Sequence, residues 1–230
     1  MNTFSLFSDL LFPKNCVICG KNLNFQRDIS ICIFCENQIP LIREPRCRIC
    51  GKPLISEQGV CLRCRERDFA FENSRSLFVY SGQIKKIIHS YKFSNIKDLS
   101  LWFAQQFSII LKTEYPSVPV IPVPGNKDNI SKRGWDHIKI ITSILSKNYS
   151  IEVIHALGRK RSESQKSLSL HERRKNLQNI IYFKRGIHEL PKEIILLDDV
   201  FTTGSTLDTC SRVLKEHGAE EVKTLTLAID

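Results

Sequence analysis

No run in these 230 residues approaches the ~18 consecutive apolar residues of a membrane-spanning helix, which argues against an integral membrane protein. The opening stretch, MNTFSLFSDLLFP, lacks the basic start of a secretory signal, and Asp9 interrupts its apolar run. A reducing cytoplasm is therefore the expected compartment. Phe4, Leu6, Phe7, Leu10 and Leu11 have the spacing of a short amphipathic helix, expected to pack on its neighbours rather than on a membrane. Acidic residues are in short supply, 24 against 34 Lys and Arg, and the net charge of +10 points to phosphate-bearing partners without specifying one. The shortfall is uneven. Residues 158–185 hold nine Lys/Arg and two acids, whereas 186–230 hold four and nine. Aromatic rings, on which single-stranded nucleic acids usually stack, are sparse in the basic stretch, with Tyr182 and Phe183 at its end. Apolar content of 42% and charged content of 25% are ordinary for a globular protein, and the length suits one α/β core plus a small module.

Cysteine is confined, Cys210 apart, to residues 16–64. There it forms four C-x-x-C pairs, Cys16/Cys19, Cys32/Cys35, Cys47/Cys50 and Cys61/Cys64, separated by twelve, eleven and ten residues. Zn²⁺ takes four thiolates in a tetrahedron and one C-x-x-C turn presents two sulfurs, so four pairs make two sites. Gly20 and Gly51 directly follow a pair, where a tight knuckle needs a positive φ. The simplest pairing joins the first two knuckles and the last two; an interleaved pairing satisfies the spacing equally. Zinc is favoured over disulfides or redox thiols by the even spacing and the expected compartment. So short a segment has little apolar core, and metal binding is expected to supply its folding energy. Its arginines, Arg43, Arg46, Arg48, Arg63, Arg65 and Arg67, could contact nucleic acid, but Glu44, Glu57, Glu66 and Asp68 dilute them, and a structural role is slightly favoured. Cys210 reads as a small core residue.

Residues 194–218, IILLDDVFTTGSTLDTCSRVLKEHG, carry the chemistry. An apolar run, 194–197, reads as a buried strand ending in Asp198 and Asp199. A turn of small hydroxyl residues follows, then Leu207, Cys210 and Leu214 at helical spacing, with His217 and Gly218 as the stop. Such a strand delivers its last side chains to the carboxyl edge of a sheet, where ligands bind. The free N–H groups and the dipole of the next helix favour an anion there, and Gly204 permits close approach of backbone. The acidic pair suits sugar hydroxyls or a hard cation such as Mg²⁺. The string LLDDVFTTGST resembles the phosphoribosyl-pyrophosphate (PRPP) loop of type I phosphoribosyltransferases. That resemblance implies Asp198 and Asp199 on the ribose hydroxyls and Thr202, Thr203, Gly204, Ser205 and Thr206 around the 5′-phosphate. Purine-salvage members of the fold carry an aspartate base where this chain has Thr202, and a threonine does not accept a proton in that way. Purine salvage is therefore disfavoured.

Elsewhere the pattern gives elements and candidates. A boundary falls near 66–76, and 77–80 reads as a short strand. Ile84, Ile87, Ile88 and Tyr91 share one helix face, with Lys85, Lys86 and Lys92 elsewhere on it and His89 beside it. Residues 99–111 read as a second helix and 118–123 as a strand. The loop after it carries Lys127, Lys132, Arg133 and Gly134; by position it is a candidate for pyrophosphate, with a basic solvated turn as the plainer reading. Residues 158–177 read as a mobile basic loop running into a short helix near Leu170. Arg159, Lys160, Arg161 and Lys166 are candidates to neutralise a leaving diphosphate, though a solvated surface is the commoner fate of such runs. Residues 222–229 alternate as a closing strand.

Taken in order, the C-x-x-C series, YKF, IPVP, KRGWDHI, SQKSLSLHERRKN and LLDDVFTTGST resemble the ComF family, which is linked to natural competence and DNA uptake. A common family form of one signpost is Arg-Gly-Phe-Asn-Gln; here it is Arg133, Gly134, Trp135, Asp136 and His137, which alters the charge and donors available to a ligand. The resemblance implies an α/β fold, a type I phosphoribosyltransferase-like parallel sheet flanked by helices over 71–230, preceded by a small double zinc ribbon of the four-cysteine type over 1–70. It implies a PRPP- and Mg-binding protein with two zinc ions, acting in competence. Whether chemistry follows binding is a separate question; the expected reaction is attack of a nitrogen nucleophile on C1 of PRPP. The alternative is a single-stranded DNA-binding protein, with Arg173, Arg174 and Lys175 among its contacts, or a scaffold for a competence helicase or uptake channel, whose PRPP-like site is regulatory or relic.

Overall fold

The computed structural model describes residues 14–23, 27–56, 58–161, 180–187 and 189–230. Along the chain run α1 (Ile33–Glu36), α2 (Leu62–Arg65), β1 (Ser74–Val79), α3 (Gly82–Phe93), α4 (Leu99–Glu114), β2 (Val120–Pro122), α5 (Lys127–Arg133), α6 (His137–Tyr149), β3 (Leu157–Arg159), β4 (Ile181–Phe183), β5 (Glu193–Phe201), α7 (Ser205–Glu216) and β6 (Glu221–Ile229). Four strands form one sheet in the order β1-β6-β5-β2, with every pairing parallel. β3 and β4 form a separate antiparallel pair. The amphipathic opening residues, 1–13, and the basic loop with Lys166, Arg173, Arg174 and Lys175 lie outside the described residues.

Parallel strands buried on both faces need apolar side chains on both, and β5 supplies them by the two-residue period of a strand. Ile195 and Leu197 enter one core with α3, α4 and α6; Ile194 and Leu196 enter the other with α7, β3 and β4. Each metal module joins a different side. Cys16, Leu23, Ile31 and Cys35 pack into the first core, and Cys47, Cys50, Leu54, Cys61, Cys64 and Phe71 into the second. Polar bonds fix both dockings. Lys86 Nζ donates to the Ile18 carbonyl at 2.7 Å, and Ser30 donates through Oγ and N–H to the Asp98 carboxylate at 2.8 and 3.1 Å. Ser74 N–H donates to the Ile49 carbonyl at 2.7 Å.

Four expectations change. The basic loop expected to begin at 158 starts later, because Gly158 and Arg159 belong to β3 and pair with Tyr182 and Ile181. The run after β2 begins as a helix, α5, rather than a loop, because the Asn126 side chain caps it, accepting from Asp128 N–H at 2.9 Å and Asn129 N–H at 3.3 Å. α4 extends to Glu114. The strand expected to close the sheet by alternation, β6, lies in its interior between β1 and β5, and its second half is buried without alternation.

Candidate functional site

β5 ends at the carboxyl edge of the sheet with Asp198 and Asp199, and their environments differ. Asp199 is 8% exposed and turned toward α3 and α6. Its Oδ2 is paired with Lys92 Nζ and lies 2.5 Å from His137 Nε2. His137 Nδ1 is 2.7 Å from an Arg133 guanidinium nitrogen. A guanidinium only donates, so Nδ1 accepts, and Nε2 carries the hydrogen donated to Asp199. Burial alone would raise the Asp199 carboxyl, but Lys92 and then His137 hold it well below the usual range. Asp198 is half-buried and shares parity with Ile194 and Leu196, which places it on the α7 side. It accepts from Asp199 N–H at 2.9 Å, and burial followed by the neighbouring Asp199 charge pushes it up to about 7. The two acids are thus a committed anion and a proton-sensitive one.

The hydroxyl turn follows directly. Thr202 and Thr203 are exposed, Gly204 is buried, and Ser205 and Thr206 open α7 half-buried. Gly204 has φ 77°, and a Cβ there would lie 2.7 Å from Phe201 Cζ, so only glycine fits. Thr203 Oγ1 and Ser205 Oγ are 2.9 Å apart, and Ser205 N–H donates to Thr203 Oγ1 at 3.3 Å. The other N–H groups opening α7 have no partner in the helix, as at any helix start. Asp198, Asp199, the 202–206 turn and Arg133 therefore meet at one edge, Arg133 through His137. Gly134 caps α5 at φ 81° and faces open space, so the turn and not a close approach demands it. Beyond β2 a cleft of about 470 Å³ is lined by Gly125, Lys127, Lys139, His155, Arg159 and Lys184, with Asp136 as its acid. Burial, then Lys184 and Lys139, lowers the His155 pKa. Lys132 is exposed and does not line this cleft.

Lys92 was not singled out for the site, and His137 was noted only as a departure from the family form that alters the donors offered to a ligand. Lys92 sits in YKF, where only its place off the apolar face was legible. Cys210 is fully buried, and burial pushes its thiol up.

The cysteines assemble into two clusters, Cys16/Cys19/Cys32/Cys35 and Cys47/Cys50/Cys61/Cys64, so the knuckles pair successively. Four thiolates around one zinc stand about 3.8 Å apart, and Cys19 and Cys32 Sγ lie 3.8 Å apart, Cys50 and Cys61 Sγ 3.7 Å. Gly20 and Gly51 have φ 76° and 74°, as the knuckles require. Burial opposes ionisation of Cys16, but the N–H groups of Cys32, Cys19 and Ile18 outweigh it and lower the thiol to about 6. At Cys47 the N–H groups of Cys50, Cys61 and Ile49 do the same, to about 7. Each cluster so holds one readily formed thiolate, and its donors fit Zn²⁺.

Comparison with known proteins agrees with both parts. Residues 7–65 match the double zinc ribbon domain family, and residues 158–230 match the phosphoribosyl transferase domain family. The chain is 28% identical to Competence protein ComFC of Streptococcus pneumoniae, across 99% of this chain and 95% of that protein. It is 27% identical to Competence protein F of Haemophilus influenzae, across 94% and 97%. It is 24% identical to DNA utilization protein YhgH of Escherichia coli O157:H7, across 95% and 98%. The architecture is thus a phosphoribosyltransferase-like parallel sheet flanked by helices, carrying two four-cysteine zinc sites in a double zinc ribbon. Among the described residues no helix is long and apolar enough to cross a membrane.

Proposed function

We propose that this chain, a homologue of the ComF/ComFC competence proteins over nearly its whole length, binds PRPP with Mg²⁺ at the carboxyl edge of its sheet and acts in DNA uptake or processing. Residues 1–70 serve as the metal module and 71–230 as the ligand-binding domain. The carrying observation is the order of groups at one edge: the β5 carboxylates, the left-handed Gly204, then the opening of α7. N–H groups of Gly204, Ser205 and Thr206, with the Thr202, Thr203 and Ser205 hydroxyls, receive the 5′-phosphate. Asp198 accepts from the ribose hydroxyls and, ionised, helps hold Mg²⁺, which supplies charge neutralisation to the diphosphate. Asp199 is already committed to Lys92 and His137, so its part is to hold those cations against the sugar edge. Lys127, Arg159 and Lys184 line the neighbouring cleft and suit the diphosphate.

If transfer follows, a nitrogen nucleophile bonds to C1 as the C1–O bond to diphosphate breaks and the electron pair leaves with it. Positioning and charge stabilisation would carry the rate. The test is calorimetric titration of PRPP with Mg²⁺ into the zinc-loaded protein and its Asp198→Asn and Asp198→Ala/Asp199→Ala variants. Mg²⁺-dependent heat lost in the variants supports the reading, and a folded wild type giving none removes it.

A second reading, single-stranded DNA binding, is favoured by the net charge of +10 and by relatives named for DNA utilization and competence. It predicts binding that weakens steeply with salt.

A further inference from the structure

The second zinc ribbon reaches the hydroxyl turn itself. Immediately after α2, which carries the ligand Cys64, Arg67 donates from its guanidinium to the Thr203 carbonyl at 2.9 Å. Two residues on, the Phe69 ring lies so close to Gly204 that a Cβ there would stand 3.0 Å from Phe69 Cε1. One residue further, Ala70 N–H donates to Asp208 Oδ1 at 2.7 Å, in the first turn of α7. Phe69 also stacks on Phe71, centroids 4.7 Å apart, and both rings meet Phe201 edge-on, at 6.4 and 6.1 Å. Three points of the turn and helix, residues 203, 204 and 208, therefore rest on three points of one short ribbon segment, residues 67, 69 and 70.

The consequence follows from peptide geometry. The Thr203–Gly204 bond is trans, and in a trans peptide the carbonyl and the following N–H point in opposite directions. A guanidinium holding the Thr203 carbonyl toward the ribbon turns the Gly204 N–H the other way, away from the ribbon. We propose that Arg67 is a positioning residue for the anion site: by fixing the Thr203 carbonyl it aims the Gly204 N–H at the phosphate, and so makes the zinc-loaded second ribbon a structural part of the phosphate turn. Among the described residues, the polar bonds of the first ribbon to the larger domain run instead to α3 and to Asp98. The inference rests on the reading of 202–206 as a phosphate loop, but the orientation of the peptide is measurable without any ligand.

The sequence holds one Thr–Gly step, so labelling threonine carbonyl carbon with ¹³C and glycine nitrogen with ¹⁵N gives a single carbonyl–amide correlation, that of Thr203–Gly204. The experiment uses the full zinc-loaded chain as wild type, Arg67→Ala, Arg67→Lys and, as a control on the neighbouring helix α2, Arg65→Ala. Bound zinc is measured for each, with the position of that correlation and the affinities for ribose 5-phosphate and for inorganic pyrophosphate. The expectation is that Arg67→Ala keeps its zinc, moves the Thr203 carbonyl resonance upfield and binds ribose 5-phosphate about tenfold more weakly, the worth of one charge-assisted hydrogen bond. Pyrophosphate affinity stays the same, Arg67→Lys recovers part of the loss, and Arg65→Ala changes nothing. A carbonyl resonance that does not move in zinc-loaded Arg67→Ala overturns the inference, as does an equal fall in both affinities. Wild type that fails to bind ribose 5-phosphate sinks the phosphate reading, and with it the functional half of the inference, while the resonance still decides whether the ribbon orients the turn.

Discussion

Replacing Lys92 by Met removes a buried cation and strands the anion it faces. The side chains of Lys92 and Asp199 are 19% and 11% exposed, so solvent screens the pair little. Deleting one partner of a fully buried pair costs about 3–5 kcal/mol. Here Asp199 keeps the His137 Nε2–H at 2.5 Å, and a hydrogen bond to a charged group contributes about 1.5–3 kcal/mol. The expected loss for Lys92→Met is therefore reduced to about 2 kcal/mol. Asp199→Asn leaves Lys92 facing only an amide, and about 2–3 kcal/mol is expected. With both changes no charge is stranded, and the double variant should lose only about 2 kcal/mol in all, a coupling of about 2–3 kcal/mol. Urea unfolding of the zinc-loaded proteins at neutral pH, compared at equal m-value, reads these differences. If the two single losses add to within about 0.5 kcal/mol, the residues are not coupled and the committed role given to Asp199 is refuted.

Because Asp198 must be ionised to hold Mg²⁺ and its pKa is raised to about 7, affinity for PRPP with Mg²⁺ should strengthen about tenfold between pH 6 and pH 8; Asp198→Asn should bind weakly with no such slope, and a flat wild-type profile by calorimetry contradicts this. Gly204→Ala places a Cβ 2.7 Å from Phe201 Cζ at φ 77°, so a loss of at least ~1–2 kcal/mol in urea unfolding, together with loss of ribose 5-phosphate binding, is expected; unchanged stability would show the turn to be looser than described. Metal analysis should find two zinc ions per chain, with Cys19→Ser lowering the count to one; loss of both ions would mean that the clusters do not load independently.

The parts of the fold written in local pattern were legible, and those depending on which surfaces meet were not. β5, α7 and the i, i+3, i+4, i+7 face of α3 follow from apolar spacing, and the successive pairing of the knuckles is the simplest the spacing allows. The α5 helix was missed because its seven residues show no apolar period; the Asn126 cap was its legible signal. β6 read as a closing strand because one chain cannot reveal which strands flank it. At the site the acidic pair and the turn were legible as a motif, but their division of labour was not. It arises from the opposite parity of neighbouring strand residues and from Lys92 and His137, each distant from Asp199 in sequence. Arg67 carried no signal of this role, which exists only once the ribbon is docked.

The place of β6 has a consequence for the order in which the protein can be made. It is the strand latest in the sequence, yet it lies between β1 and β5, and Ser74 waits for Thr224 before it has a partner in the sheet. During synthesis the two metal modules emerge complete, and their loops are short enough to close at once around zinc. β1 then has an open edge until residues 221–229 arrive, while β5 meanwhile pairs with β2 alone. Such unpaired edges invite association between nascent chains. A chain stopped at residue 220 should therefore carry folded, metal-loaded ribbons on an aggregation-prone remainder, and early zinc capture gives the emerging polypeptide a compact end on which the late-closing sheet can be assembled.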